Sequence, residues 1–260
     1  MQDFKLITSR ENSLIKLVCS LQNSAKSRRE SGLFVIEGLR ITTDAFENSI
    51  RFDKLIVSKT AMEKYSHEIE SFANVSEERY LVPDELFKKI SDTTSPQGII
   101  ALAKIPESHL KKIESSGRYI ALENVADPSN LGAISRTCEA LGVSGIILTT
   151  GGCDPFSPKA LRASMGTLLR MPLIVLDDFS NQLPKIGLKS FACVVDSSAK
   201  PIQDVEFTDG SVIIIGNEAN GITKETQEIS DNLITIPMAG NAESLNAAVA
   251  AAIAVWEMMK

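Results

Sequence analysis

The side chains that could do chemistry fall in three separated stretches, Leu122 to Arg136, Ile213 to Ile222 and Ile236 to Asn246, each at the end of an apolar run. In the first stretch, Leu122 to Arg136, a strand ends, Asp127-Pro128 forms a turn and a helix begins near Asn130. Leu131, Ile134, Cys138 and Leu141 share one face of that helix, and Arg136 lies roughly opposite. Its guanidinium therefore points away from the apolar stripe, where it can bind a phosphate or carboxylate. In the second stretch Ile213-Ile214-Ile215 runs into Gly216-x-Glu218-x-x-Gly221. Glycines there let the backbone approach a ligand closely or adopt positive φ. The third stretch, Ile236 to Asn246, leads into an Ala-rich helix through Trp256, with Ser244 or Asn241 as its expected cap. No dinucleotide-type GxGxxG occurs in the chain, which argues against a nicotinamide-dependent oxidoreductase. Both histidines, His67 and His109, lie outside the three stretches, so no imidazole base is at hand.

Something must position these residues. The second half alternates short apolar runs (Tyr119–Val125, Gly145–Thr149, Leu173–Leu176, Phe191–Val195, Val212–Ile215, Leu233–Ile236) with helical or loop segments. That pattern predicts an α/β fold with a largely parallel sheet covered on both faces. Ligands in such sheets bind at the strands' carboxyl ends, which singles out the loops after Val125, Ile215 and Ile236. The first half reads as a smaller α/β domain. It has an amphipathic helix at 11–23, strands at Phe34–Ile36, Lys54–Val57 and Gly98–Ala103, a Gly38-Leu39-Arg40 turn, a helical Ile41–Phe46 and a short helix opening at Pro83. The expected organisation is a domain of residues 1–105, a polar linker at 106–117 and a second domain at 118–260.

At 260 residues the chain has room for two domains and needs no disulfide or metal to hold a core. Its four cysteines are widely spaced among apolar neighbours and form no CxxC pair, so they read as small buried hydrophobes and no metal is expected. No signal-like N-terminus and no apolar run near the length of a membrane span are seen, which predicts a cytoplasmic protein. The net charge of −6 hides a local excess: residues 5–40 carry seven basic and three acidic side chains. Such a patch suits a phosphate backbone. Lys16, Arg28, Arg29 and Arg40 are the candidate phosphate contacts.

Taken in order, Asp127-Pro128-x-Asn130-x-Gly132-x-x-x-Arg136, Gly216-x-Glu218-x-x-Gly221 and Ile236-Pro237-Met238 with Ser244-Leu245-Asn246 resemble the three motifs of the SpoU (TrmH-like) family of RNA ribose 2′-O-methyltransferases. Asp154 to Gly166 resembles a segment between the first two motifs. Ser9-Arg10-Glu11-Asn12, Phe34 to Gly38 and Ser95-Pro96-Gln97-Gly98 are similar to the family's RNA-binding domain. The resemblance implies a C-terminal SPOUT-type trefoil-knotted domain, a ribosomal-protein-like N-terminal domain, and a homodimer whose active site lies near the subunit interface. It implies S-adenosylmethionine as cofactor, held largely by backbone at Gly216, Ile236, Met238 and Leu245. It implies Asn130, Arg136, Glu218, Ser244 and Asn246 as catalytic residues. Two positions depart from the common pattern: Ala248 stands where a serine is frequent, and Asn124 where an aspartate is.

Within that reading Arg136 is either the activator of the ribose hydroxyl or the group that binds the target phosphate, since a guanidinium is a very poor base. Glu218 would fix Arg136 or the cofactor loop. Ribosomal RNA, 23S in particular, is favoured over transfer RNA because the N-terminal domain is present and no basic extension follows Trp256. The competing reading is a noncatalytic RNA-binding protein of the same fold.

Overall fold

The structure is a computed structural model that describes residues 4–106 and 113–260. Two compact units emerge, one of residues 4–106 with Phe156–Arg162, the other of residues 113–155 and 163–260. Half of the expected linker (107–112), His109 and the first three residues lie outside the described residues.

The N-terminal unit runs β1 (Lys5–Leu6), α1 (Ser13–Asn23), α2 (Ala25–Ser31), β2 (Leu33–Glu37), α3 (Leu39–Glu47), β3 (Phe52–Ser58), α4 (Lys59–Lys64), α5 (Ser66–Asn74), β4 (Ser76–Val82), α6 (Asp84–Ile90) and β5 (Ile99–Lys104). Its sheet has the order β1-β4-β3-β5-β2, with β5 antiparallel to both neighbours and the other pairs parallel. Leu14, Ile15, Val18 and Leu21 of α1 pack with Val35, Ile56, Ile100 and Leu102 of the sheet and with Leu86, Phe87 and Ile90 of α6. The first helix starts at Ser13 rather than residue 11, because the Asn12 side chain accepts the Leu14 N–H and caps it. Leu39 and Arg40, expected in a turn, are the first residues of α3; Gly38 alone makes the bend, at φ 108°. Strand β4 was not expected. Its Ser-Glu-Glu-Arg-Tyr stretch is polar, and backbone pairing to strands on both sides holds it.

The second unit runs β6 (Tyr119–Leu122), α7 (Pro128–Leu141), β7 (Gly145–Thr149), α8 (Pro158–Ser164, shared with the first unit), α9 (Thr167–Arg170), β8 (Leu173–Leu176), α10 (Phe179–Gln182), β9 (Lys189–Cys193), β10 (Lys200–Pro201), β11 (Ser211–Ile215), α11 (Lys224–Ile229), β12 (Asn232–Thr235) and α12 (Ala247–Met259). The sheet order is β10-β12-β9-β11-β6-β7-β8, and every pair is parallel. The chain lays β6, β7 and β8 outward, then crosses to β9 on the far side of β11. Ligand crevices in parallel sheets open at such reversals. All six expected strands are present. β6 stops three residues early, because Asn124 turns to φ 56°, a left-handed conformation that Asn tolerates. Its backbone N–H and side chain hold Thr149 Oγ1 at 2.8 Å each, and its carbonyl accepts Asn217 Nδ2 at 2.8 Å. Of the four cysteines only Cys138 is buried; the other three are half-buried, correcting the expectation for them.

Candidate active site

Helix α7 starts at Pro128, two residues before the expected start, with the Asp127 side chain accepting the Ser129 N–H at 2.7 Å. Leu131, Ile134 and Cys138 are buried as the helical face requires, and Arg136 is exposed. Gly132 sits on the buried side. A Cβ there would stand 2.5 Å from Ala163 Cβ and 2.7 Å from Ser164 N, so only glycine allows α7 to lie this close. Gly216 is equally constrained, since a Cβ would meet the Gly221 carbonyl carbon at 2.1 Å. Asn217 and Gly221 exchange two backbone hydrogen bonds of 3.0 and 2.9 Å, which closes the Gly-x-Glu-x-x-Gly turn.

One line of hydrogen bonds joins all three stretches. Asn246 caps α12, its Oδ1 accepting the Ala248 N–H at 2.9 Å and the Val249 N–H at 3.3 Å. The cap is therefore neither Ser244 nor Asn241, because the helix begins only at Ala247. Asn246 Nδ2 donates to Asn130 Oδ1 at 3.0 Å, and Asn130 Nδ2 donates to Glu218 Oε1 at 2.8 Å. Glu218 also accepts the backbone N–H groups of Ala126 at 3.1 Å and Asp127 at 3.2 Å. Burial works against its charge, but the Asn130 amide and these N–H donors outweigh burial and hold its pKa below the usual carboxylate value. Glu218 thus fixes the 126–130 turn. It does not pair with Arg136, which has no hydrogen bond or ion pair among the described residues.

Beside this line opens a cavity of about 710 Å³ at the carboxyl ends of β9, β11 and β12. Gly216, Ile236, Met238 and Leu245 all line it, together with Glu218 and Ser244; Asn130, Arg136 and Asn246 do not. Sequence reasoning missed one wall, Cys193 to Ser197. The signal lies in the sequence, where the apolar run ending at Val195 is followed by Asp196-Ser197-Ser198, a fourth strand-end loop beside those after Val125, Ile215 and Ile236. Asp196 Oδ1 accepts the Ser198 N–H and hydroxyl at 2.8 Å each. Also missed was Glu123, which is buried and accepts from Thr223 N, Thr223 Oγ1 and Thr226 Oγ1 at 3.0, 2.7 and 2.7 Å, anchoring the start of α11. Asp196, Glu218 and Glu243 bring three carboxylates to the cavity, and its described lining has no Lys, Arg or His. Apolar walls from Ile215, Ile222 and Ile236 complete it. The volume suits a drug-sized ligand and the charge suits a cation.

The four candidate RNA contacts divide. Arg29 and Arg40 are exposed, and Lys16 is exposed in an ion pair with Glu11 at 2.6 Å. Arg28 is a correction. It is 4% exposed, and its guanidinium donates to the carbonyl oxygens of Leu21 and Gln22, so it ties α2 back to the end of α1.

The sequence profile of the SpoU rRNA Methylase family matches residues 117–256, more than half of the chain, and that of the MRM3-like substrate binding domain matches residues 12–101. Among relatives, the 23S rRNA (guanosine(2553)-2′-O)-methyltransferase RlmP of Bacillus subtilis is 29% identical over 98% of this chain and 99% of its own. An uncharacterized tRNA/rRNA methyltransferase of Synechocystis is 30% identical over 98% of this chain and 93% of its own. Among solved structures, an AdoMet-bound rRNA methyltransferase from Sinorhizobium meliloti superposes with a TM-score of 0.86 at 28% identity, covering 98% of this chain and 97% of that one.

Proposed function

The chain belongs to the SpoU rRNA methylase family, and from that premise we propose that it transfers a methyl group from S-adenosylmethionine to a ribose 2′-hydroxyl of 23S ribosomal RNA. The observation that carries this reading is the Asn246–Asn130–Glu218 hydrogen-bond line beside the 710 Å³ cavity. It ties together the three stretches that the family motifs occupy. The cavity fits the cofactor on its own chemistry: apolar walls for a heteroaromatic ring, carboxylates for a molecule of net positive charge, and backbone of Gly216, Ile236 and Leu245 with Met238 at hand. When bound, the cofactor supplies an electrophilic methyl group.

A ribose hydroxyl is a weak nucleophile until it is aligned or loses its proton. Arg136 binds the RNA phosphate next to the target ribose and orients the hydroxyl; its guanidinium, always charged, does not serve as a base. Asn130, Glu218 and Asn246 act through the turn they hold, as positioning residues. Ser244 faces the cavity and hydrogen-bonds what enters it.

The protein acts as a homodimer in this reading. Val249 (48% exposed) and Trp256 (56%) lie seven residues apart on one face of α12, an apolar stripe that a second copy would cover. Arg136 lies outside the cavity lining of its own subunit, consistent with each subunit lending it to the other. The interleaved order β12-β9-β11-β6 supports a trefoil-knotted second domain, with residues 1–105 binding RNA, 106–117 linking and 118–260 carrying the chemistry. Likeness to a 23S rRNA methyltransferase of a bacterium supports a cytoplasmic location.

Transfer of labelled methyl to unmodified 23S ribosomal RNA and, separately, to unmodified transfer RNA tests the proposal. Label in ribosomal RNA that disappears with Arg136→Ala is the expected result. Label only in transfer RNA overturns the substrate, and no label with no cofactor binding overturns the enzyme.

A further inference from the structure

The N-terminal unit holds a cavity of its own, about 490 Å³, between α4, α6 and the Ser95–Gly98 loop. Its loop wall is fixed in advance. Glu37 accepts the Ser91 hydroxyl, the Thr93 hydroxyl at 3.1 Å and the Asp92 N–H at 2.9 Å, and Gln97 Oε1 accepts the Leu39 N–H at 2.9 Å. Gly98, at φ 82°, ends the loop; a Cβ there would stand 2.5 Å from Ser58 Oγ and 2.7 Å from Ala61 Cβ, so only glycine lets the loop close on α4. The opposite wall offers Lys64, Tyr65 and Lys88. Lys64 Nζ lies 5.2 Å from the centroid of the half-buried Tyr65 ring. The lining carries two ammonium groups and one carboxylate, and that carboxylate, Asp84, already accepts the Thr60 N–H at 3.1 Å. Lys88 reaches Glu85 at 3.3 Å through an exposed, solvent-screened pair that a phosphate can displace. The charge is opposite in sign to that of the cavity in the second unit, whose described lining has three carboxylates and no Lys, Arg or His.

We propose that this cavity is an RNA subsite that takes one unstacked nucleotide of a single-stranded segment, with Lys64 and Lys88 on its phosphate and the base against Tyr65 and Pro96. This rests on reading the chain as an RNA-acting enzyme. Proteins read single-stranded RNA by stacking splayed bases on aromatic rings and by cations tracking the backbone. A preorganised wall lowers the entropy lost on binding. The Gln97 amide nitrogen, whose oxygen partner is already engaged, is the donor available to the base edge.

The test is equilibrium binding of the intact protein to a short single-stranded RNA containing 4-thiouridine, across a salt series, with photo-cross-linking mapped to peptides. Lys64→Ala/Lys88→Ala is compared with Lys185→Ala/Lys224→Ala, which removes the same charge at exposed positions of the other unit. Affinity is expected to fall about tenfold in the first variant only, with the slope of log K against log salt shallower by about 1.4. Cross-links are expected in the peptides carrying Tyr65 or Pro96. Affinity and slope equal to the control variant's, in a protein that still methylates RNA, overturn the subsite and leave the function standing. A wild-type protein that binds cofactor but neither binds nor methylates any RNA overturns both.

Discussion

Glu218 has both carboxylate oxygens engaged by N–H donors from one turn, so its contribution is geometry. Glu218→Gln keeps the size but turns an NH₂ toward one of those donors. Because displacement of a reacting group by about 1 Å costs on the order of 100-fold, kcat/KM of the variant should fall by about that much with the fold intact by circular dichroism. A loss under about threefold would remove Glu218 from its positioning role. Asn246 has two duties, capping α12 and holding Asn130. Asn246→Ala should lower stability by about 1 kcal/mol, read as a lower melting temperature. It should also lower activity, since Asn130 loses its donor.

At the scale of elements, β1 is two residues long and is held to β4 by more than its backbone. Lys5 reaches Glu78 at 2.7 Å, Lys54 reaches it at 2.8 Å, and the Tyr80 hydroxyl donates to it at 2.6 Å. Lys5, then Lys54 and Tyr80, hold the Glu78 pKa down at about 2. A carboxylate with a lowered folded-state pKa contributes stability that is fully present above its unfolded value, 4.5, and is lost as pH falls from there toward 2. Urea titrations across that window should show the wild type losing more stability than Glu78→Gln; equal losses would contradict the assignment. The elements were largely legible beforehand where apolar residues repeat, as in α1 and all six C-terminal strands. β4 was not, because its polar residues carry no period and its place depends on strands distant in sequence. The start of α12 was misplaced, because several polar residues precede it and only tertiary contact with Asn130 selects Asn246. Arg28 looked like a phosphate contact because charge alone does not reveal that a guanidinium folds back onto carbonyls. The cavity wall at Asp196 is legible in the apolar run ending at Val195 and the polar Asp196-Ser197-Ser198 that follows it.

For the whole molecule, a net charge of −6 conceals two cavities of opposite sign. The acidic one favours a cation, and methyl transfer removes the positive charge of the sulfonium. Asp196→Asn should therefore weaken binding of S-adenosylmethionine several-fold more than that of S-adenosylhomocysteine, by isothermal titration. Equal effects on both ligands would show that Asp196 only shapes the loop. The central claim is the position of the methyl group. Unmodified 23S ribosomal RNA, incubated with the protein and S-adenosylmethionine and digested to nucleosides for mass spectrometry, tests it most directly. The account predicts one added methyl on a ribose, with the adjoining linkage resistant to alkali, absent when Arg136 is replaced by Ala. A methyl on a base, or no methylated nucleoside from a protein that binds the cofactor and the RNA, would contradict it.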